Sequence, residues 1–467
     1  MAMNYEEVID EFREGNLEID CRAMTLIQRK DRGEIYRGKG YIRQADDGAF
    51  EFKLYVVSTE NVTPYQSFAR LVSVQAGSLH PDEVFYDLTA IAHDGTKWTA
   101  ERLLPGFSWD IRDGEVIVHG HILSIKSQTD SQEKFTPFLQ LHYFDEFELP
   151  FSKASETERW GQKRHTTDKA EFEGLGAKWK VRKRDQRVVV EIDSTADSFP
   201  PSFEYRVQEA FQFLAAKPVF WRARLSGNQT KVEFELVSPW RRSIKTQMGL
   251  PISRATDGYF QHSWRLFQLY LEYVAANTKD TQWNPVAYHL YNAIEASANS
   301  IDAWAVGYCV ALEALTSFVS LENDAEHRGH IEGFQAKLRK WLAEETEYPD
   351  LVPRLDGMIS GLASERVQDK LHELSETGHV TRSYIRSWTK LRNRHVHPRP
   401  VDLRKPDASY TQGMLDLIHQ VEVLMFQLVF HLIGYNGPFT DYGAKGFPIG
   451  HYPVTSTPPE GEPEAAM

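Results

Sequence analysis

The hydrophobic period of this chain changes near residue 257, and that change limits the fold more than any other feature of its 467 residues. From about residue 17 to residue 150, polar and apolar side chains alternate in short runs, as in residues 40–57 (GYIRQADDGAFEFKLYVV). A period of two gives a strand one face for the core and one for water. Asp47-Gly48, Asp94-Gly95 and Asp113-Gly114 punctuate these runs, and Asp-Gly pairs accept the positive φ values of tight hairpin turns. Residues 151–250 mix the two periods. A strand pair is expected over 177–193, a helix over 203–216, and a hairpin around Ser226-Gly227-Asn228 with 232–237 as its returning strand. From Asp257 to about Tyr435, stretches at helical spacing follow one another, roughly seven helices by their usual length. The expected class is α+β multidomain. An antiparallel, sandwich- or barrel-like domain (1–150) and an α+β second lobe (151–250), which could belong to that same domain, precede an all-helical bundle (257–440). A disordered acidic tail (453–467) follows.

Charge and cysteine content narrow the function classes. Lys and Arg number 53 against 66 Asp and Glu, a formal charge of -13, so the chain as a whole should repel polyanions. Its two cysteines, Cys21 and Cys309, exclude a thiolate zinc cluster and a disulfide framework and fit a reducing cytoplasm. The opening MAMNYEEVIDEF has no apolar core of a secretory signal. The most apolar stretch, 421–435, is broken by Glu422, Gln427 and His431 and reads as a core helix, so no membrane contact is expected.

Two local patterns are set aside. Residues 33–40 (GEIYRGKG) have the spacing of a phosphate-binding loop, but Gly40 stands where a Ser or Thr should hold magnesium, and strand-like residues follow where a helix is needed. Glu326, His327, His330 and Glu332 could meet on one helix turn as metal ligands, but a solvated polar face is the simpler reading. No cofactor and no metal are expected.

The densest basic segment is 380–406, with eight Lys or Arg against the single acid Asp402. On a helix, Tyr384, Trp388, Leu391 and His395 form one side, and Arg386, Lys390, Asn393 and His397 the other. The first side should pack, and the second is open to a phosphate-rich ligand. Pro398 disfavours the helical state of His397 and should loosen the helix end there.

Within that segment, Arg392-Asn393-Arg394-His395-Val396-His397 matches the R-polar-x-x-x-H signature of HEPN domains, and the chain over about 283–435 resembles that family of helical bundles. It looks most like the Apea-like HEPN group, in which a β-rich region precedes the bundle. The resemblance implies a metal-independent endoribonuclease with Arg392, Asn393 and His397 as catalytic residues. His397 would be general base on a ribose 2′-hydroxyl, a task suited to an imidazole. Arg392 would hold the phosphate and offset its developing charge, and Asn393 would orient the histidine or the phosphate. The products would be 2′,3′-cyclic phosphate and 5′-hydroxyl ends. The substrate would be tRNA or another structured RNA, in bacterial antiviral defence (abortive infection) or toxin-like growth arrest, with a phage-derived or protein trigger sensed by the N-terminal region. Arg386, Lys390 and Arg394 would add RNA contacts.

Arg392 and His397 are five residues apart, so on a regular helix their side chains diverge by about 140°. Either the last turn unwinds at Pro398, or a two-fold dimer sets a second motif alongside, as the family commonly does, and a homodimer through this face, as an isologous contact, is the expectation. Glu313 is the one charged residue in 304–320 (WAVGYCVALEALTSFVS). It either pairs with Arg392 or reaches solvent at a bundle edge. His395 lies with Trp388 and Leu391 and reads as a packed histidine more readily than a catalytic one.

Lys178, Lys180, Arg182 and Arg184 share one face of a strand. They could track an RNA backbone, or they could be the charges that keep an edge strand from pairing. Against the nuclease stands a non-catalytic bundle that binds nucleotide, RNA or protein and relays a signal from the β-rich region. A carbohydrate- or peptide-binding sandwich with a dimerising helical partner is a third reading.

Overall fold

The computed structural model describes residues 3–62, 79–109, 115–159, 162–184, 187–239, 245–278, 283–320, 324–345, 347–361, 366–396 and 408–454. The chain divides into two compact units. Met1–Phe147, Phe151–Glu204 and Val219–Ser243 form the first, and Glu148–Pro150, Tyr205–Pro218 and Ile244–Met467 the second.

The first unit opens with helix α1 (Tyr5–Glu14) and then strands β1 (Glu18–Gln28), β2 (Ile35–Gln44), β3 (Phe50–Glu60), β4 (Tyr86–Ala92), β5 (Lys97–Leu103), β6 (Gly106–Trp109) and β7 (Val116–Ile122). The 20-residue β8 (Ser124–Tyr143) follows, then β9 (Lys153–Arg159), β10 (Gln162–Gly174), β11 (Ala177–Arg184), β12 (Arg187–Ser194) and β13 (Trp221–Val237). All thirteen join one sheet in the order β6-β7-β3-β2-β1-β4-β5-β8-β12-β11-β10-β9, with β13 also on β8. Every pairing is antiparallel. The length of β8 makes this possible. One end of it pairs with β5 and the other with β12, while β13 runs along its second edge.

Alternation predicts these strands well. In β4 every second residue is buried, from Tyr86 to Ala92. The turns at Asp47 and Asp94 form as expected. Gly48 and Gly95 take φ of 82° and 93°, and each aspartate accepts the N–H two residues on, at 3.0 and 2.8 Å. Asp113-Gly114 lies outside the described residues. Helix α1 went unread in the sequence although Tyr5, Ile9 and Phe12 repeat at helical spacing. It docks through Phe12, stacked on Phe50 at 4.9 Å, and through Glu6 and Asp10, which pair with the buried Arg187.

Residues 151–250 follow the alternative that ties them to the first domain, since their strands complete the first unit's sheet, while the helix from Tyr205 on belongs to the second unit. One expectation there is corrected: there is no hairpin at Ser226-Gly227-Asn228. β13 continues through, and its register on β8 shifts at Gly227/Gln229 and Gln229/Lys231. Gly227 is needed because a Cβ there would strike the Phe138 ring, and Gln229 has φ of 54°. The turn residues make a bulge.

Residues 33–40 lie largely on β2, a strand and not a phosphate loop. Gly38 and Gly40 sit where the carbonyls of Tyr55 and Lys53 on β3 leave no room for a Cβ.

The second unit holds α2 (Phe203–Ala215) from Tyr205 on, then α3 (Tyr259–Ala276), α4 (Pro285–Ala296), α5 (Ile301–Ser317), α6 (Asp324–Glu344), α7 (Val352–Gly361), α8 (Val367–Glu376), α9 (Arg382–Val396) and α10 (Ala408–Leu432). A short hairpin, β14 (Gly437–Thr440) and β15 (Ile449–Tyr452), follows the last helix. Helix α10 is the one described helix long and apolar enough to cross a membrane, and it is largely buried within the fold, every residue from Val421 to Phe430 included. The acidic tail from residue 455 lies outside the described residues.

Candidate functional site

The motif helix α9 is held by its apolar side. Tyr384, Ile385, Trp388 and Leu391 are buried, the i, i+4, i+7 pattern of a helix face against a core. Polar contacts fix its start. The buried Gln427 of α10 accepts the Thr381 N–H and donates to Thr381 Oγ1, both at 2.9 Å. The Tyr384 hydroxyl donates to Asp441 at 2.7 Å, and Ser387 bonds Gln420. Of the opposite side, Arg386, Lys390 and Asn393 are exposed as expected, as is Arg394 beside them, and neither Arg386 nor Lys390 has an ion-pair partner among the described residues. His397 lies outside the described residues, and so does the loosened turn expected at Pro398.

Arg392 meets Glu313. Helix α5 starts at Ser300, whose hydroxyl accepts the Ala303 N–H at 3.2 Å, and presents Glu313 so that Arg392 Nε donates to Oε1 at 2.6 Å. The two alternatives for Glu313 are both met, since it pairs with Arg392 and remains 36% exposed. The guanidinium, 42% exposed, also lies 6.0 Å from the centre of the Trp388 ring. Beneath the pair, burial first and the Glu313 charge second push the Cys309 thiol up to about 12. This removes it as a nucleophile at neutral pH.

His395 is half-buried, its Nε2 has no hydrogen-bond partner among the described residues, and burial lowers its pKa. That is the environment of a packed, neutral imidazole. Arg394 lies 4.5 Å from the centre of the Tyr410 ring, with Nη1 against Met414 Sδ. Tyr410 and Met414 carried no signal in the sequence, because the contact joins two helices.

Lys178, Lys180, Arg182 and Arg184 do not form a bare basic stripe. β11 lies between β10 and β12, so the edge-strand alternative is corrected. Lys178 stands between Glu173 and Asp193, and Lys180 between Glu171 and Glu191. Arg182 pairs with Glu191, and Arg184 lies 3.8 Å from Glu6. The cations thus form a mixed-charge ladder whose acids come from neighbouring strands and, for Arg184, from α1.

Among the described residues no group of three or more His, Cys, Asp or Glu could hold a metal. Of the four residues set aside as metal ligands, His330 and Glu332 are exposed, while the side chains of Glu326 and His327 lie outside the described set. No protein-family model, curated protein or solved structure matches the chain, so the HEPN resemblance rests on the motif residues themselves.

Proposed function

We propose that the chain is a metal-independent endoribonuclease of the HEPN type. The observation that carries this reading is the setting of Arg392-Asn393: adjacent, accessible, in the last turns of a packed helix, with Arg392 held by Glu313. Phosphoryl transfer by 2′-hydroxyl attack needs a fixed cation at the phosphate and a base at the ribose. Arg392 and Asn393 bind and orient the phosphate, and His397 takes the 2′-hydroxyl proton as that oxygen attacks phosphorus. The 5′-oxygen leaves and is protonated, giving a 2′,3′-cyclic phosphate and a 5′-hydroxyl. Arg386 and Lys390 guide the same strand. The substrate is tRNA or another structured RNA, the sheet unit senses a phage-derived or protein trigger, and the outcome is abortive infection or growth arrest.

A homodimer completes this site. Val306 and Val310 are exposed on α5 (44% and 58%) and lie in line with Glu313 at i, i+4 and i+7. An isologous contact over these valines sets two motifs side by side. The Arg392–Glu313 ion pair also supports the second reading, a non-catalytic relay, because an arginine already neutralised need not bind phosphate.

Incubating the protein with tRNA in EDTA, beside His397→Ala and Arg392→Ala, separates the two. Cleavage lost in both variants, with cyclic-phosphate ends in the wild type, is the expected result. Cleavage that persists in both or needs a divalent ion removes the mechanism. Light scattering of Val306→Glu/Val310→Glu checks the dimer: a wild-type monomer with full activity would rule it out.

A further inference from the structure

Helix α6 carries an exposed row that the motif site leaves unused. His330, Phe334, Lys337 and Trp341 follow at i, i+4, i+7 and i+11, within about 60° of one another around the axis. All four are exposed, and the rings of Phe334 (57%) and Trp341 (55%) are open to solvent. The helix is held by a different side. Gln335 and Leu342 are buried there, and Gln335 Nε2 donates to the Ile359 carbonyl at 2.6 Å. Packing among the described residues therefore does not account for the two rings.

The residues between the rings select the occupant. Lys337 stands between Phe334 and Trp341, and Lys340 flanks it; both are exposed. An apolar protein surface closing over the rings would strand the Lys337 charge. Single-stranded RNA satisfies both kinds of side chain, since its bases stack on aromatic faces and its phosphates meet the cations. The two rings are separated by about 10.5 Å along the axis, which is roughly three stacked-base steps of about 3.4 Å. Glu332 projects from the far side of the helix, and Glu344, almost one turn past Trp341, closes the row.

We propose that this row, Phe334, Lys337, Trp341 and Lys340 with His330 at its end, is a second RNA contact that stacks unpaired bases of the substrate away from the cleavage motif. It deepens the nuclease reading and rests on RNA being the ligand.

The test uses a 12-nucleotide 2′-O-methyl RNA, which cannot undergo 2′-hydroxyl attack, so binding is read apart from cleavage. Stacking contributes about 1–3 kcal/mol per base. Phe334→Ala/Trp341→Ala should therefore weaken binding at least about tenfold, and Trp341→Phe should retain most of the affinity. Lys337→Ala/Lys340→Ala should reduce the slope of log affinity against log salt by about 0.7 for each phosphate no longer neutralised. Both ring positions are on the surface, and circular dichroism checks the fold of each variant. Affinity within twofold of wild type in the double alanine variant overturns the proposal. So does an oligoglutamate peptide that displaces the RNA at equal concentration, which would assign the row to an acidic protein. Loss of cleavage in EDTA with ring-dependent binding intact overturns the nuclease mechanism alone.

Discussion

Arg392 and Glu313, 79 residues apart in sequence, meet at 2.6 Å between Nε and Oε1 and tie the motif helix to α5. Both side chains keep more than a third of their surface exposed, so the pair stabilises the fold by under about 1 kcal/mol. On the proposed nuclease reading, its value lies in aiming the guanidinium. Glu313→Ala should leave the urea midpoint nearly unchanged while lowering kcat of RNA cleavage by about ten- to a hundredfold, the scale of a misplaced catalytic group. Glu313→Gln, which still accepts the Nε–H bond, should lose less. Single-turnover cleavage beside urea titration checks both, and an alanine variant with wild-type kcat would show that Glu313 does not position Arg392.

Gly40 on β2 decides the status of the GEIYRGKG segment. A Cβ there would run into the Lys53 carbonyl, and one at Gly38 into the Tyr55 carbonyl. Backbone obstacles do not rotate away, so Gly40→Ala should cost about 1–3 kcal/mol, as overpacking does. The glycines are there for strand contact. Thermal melting checks this, and an alanine variant that melts with the wild type would contradict it.

Legibility followed the range of the contact. The alternating strands of 17–150, the two described Asp-Gly turns and the inner face of α9 rest on period and local turn chemistry, and these were readable. The Glu313–Arg392 pair could be anticipated because a lone charge on an apolar helix needs a partner. The ladder around β11 was not readable, since the acids facing Lys178 and Lys180 come from strands whose register no local pattern reveals. The bulge at Gly227 read as a turn for the same reason. Its glycine answers to Phe138, a residue on another strand.

The second unit contains a buried ion pair whose loss should be costly. Arg206 Nη1 and Glu209 Oε2 are 3.0 Å apart with both side chains almost wholly buried. Burial, working against the Arg206 charge and the Asn284 N–H, pushes the Glu209 carboxyl up to about 8, so the pair is fully ionised only above that pH, where the variants are compared. Glu209 Oε1 also accepts the Asn284 N–H at 2.9 Å, at the residue that caps α4. Glu209→Ala leaves the Arg206 charge without its carboxylate and frees that N–H, a change of about 3–5 kcal/mol. Replacing both by Met should cost less than the single change. Urea unfolding of the three variants tests this, and a double replacement worse than Glu209→Ala would show that the pair contributes net stability.

Two buried groups should give the units opposite responses to pH. Glu422 accepts from the Gly249 N–H at 2.9 Å and the Tyr308 hydroxyl at 2.7 Å. Burial, working against both hydrogen bonds, pushes its carboxyl up to about 7. A raised carboxyl favours the protonated fold. Its contribution is full below the ordinary value of about 4.3 and is lost as pH rises through about 7. His142, in the sheet unit, is held down to about 3 by burial, with the charges of Arg187 and Arg184 adding to it. The fold there favours the neutral ring, so its contribution is full above about 6.5 and falls as pH drops toward about 3. Glu422→Gln should therefore match the wild type near pH 5 and exceed it by about 1–3 kcal/mol at pH 8. His142→Phe should gain on the wild type at pH 5 more than at pH 7.5. A chain of two units need not unfold in one step, so the transitions are followed by proteolysis of each unit across urea at both pH values. A Glu422→Gln advantage that does not grow between pH 5 and pH 8 would mean that the carboxyl is already ionised in the fold.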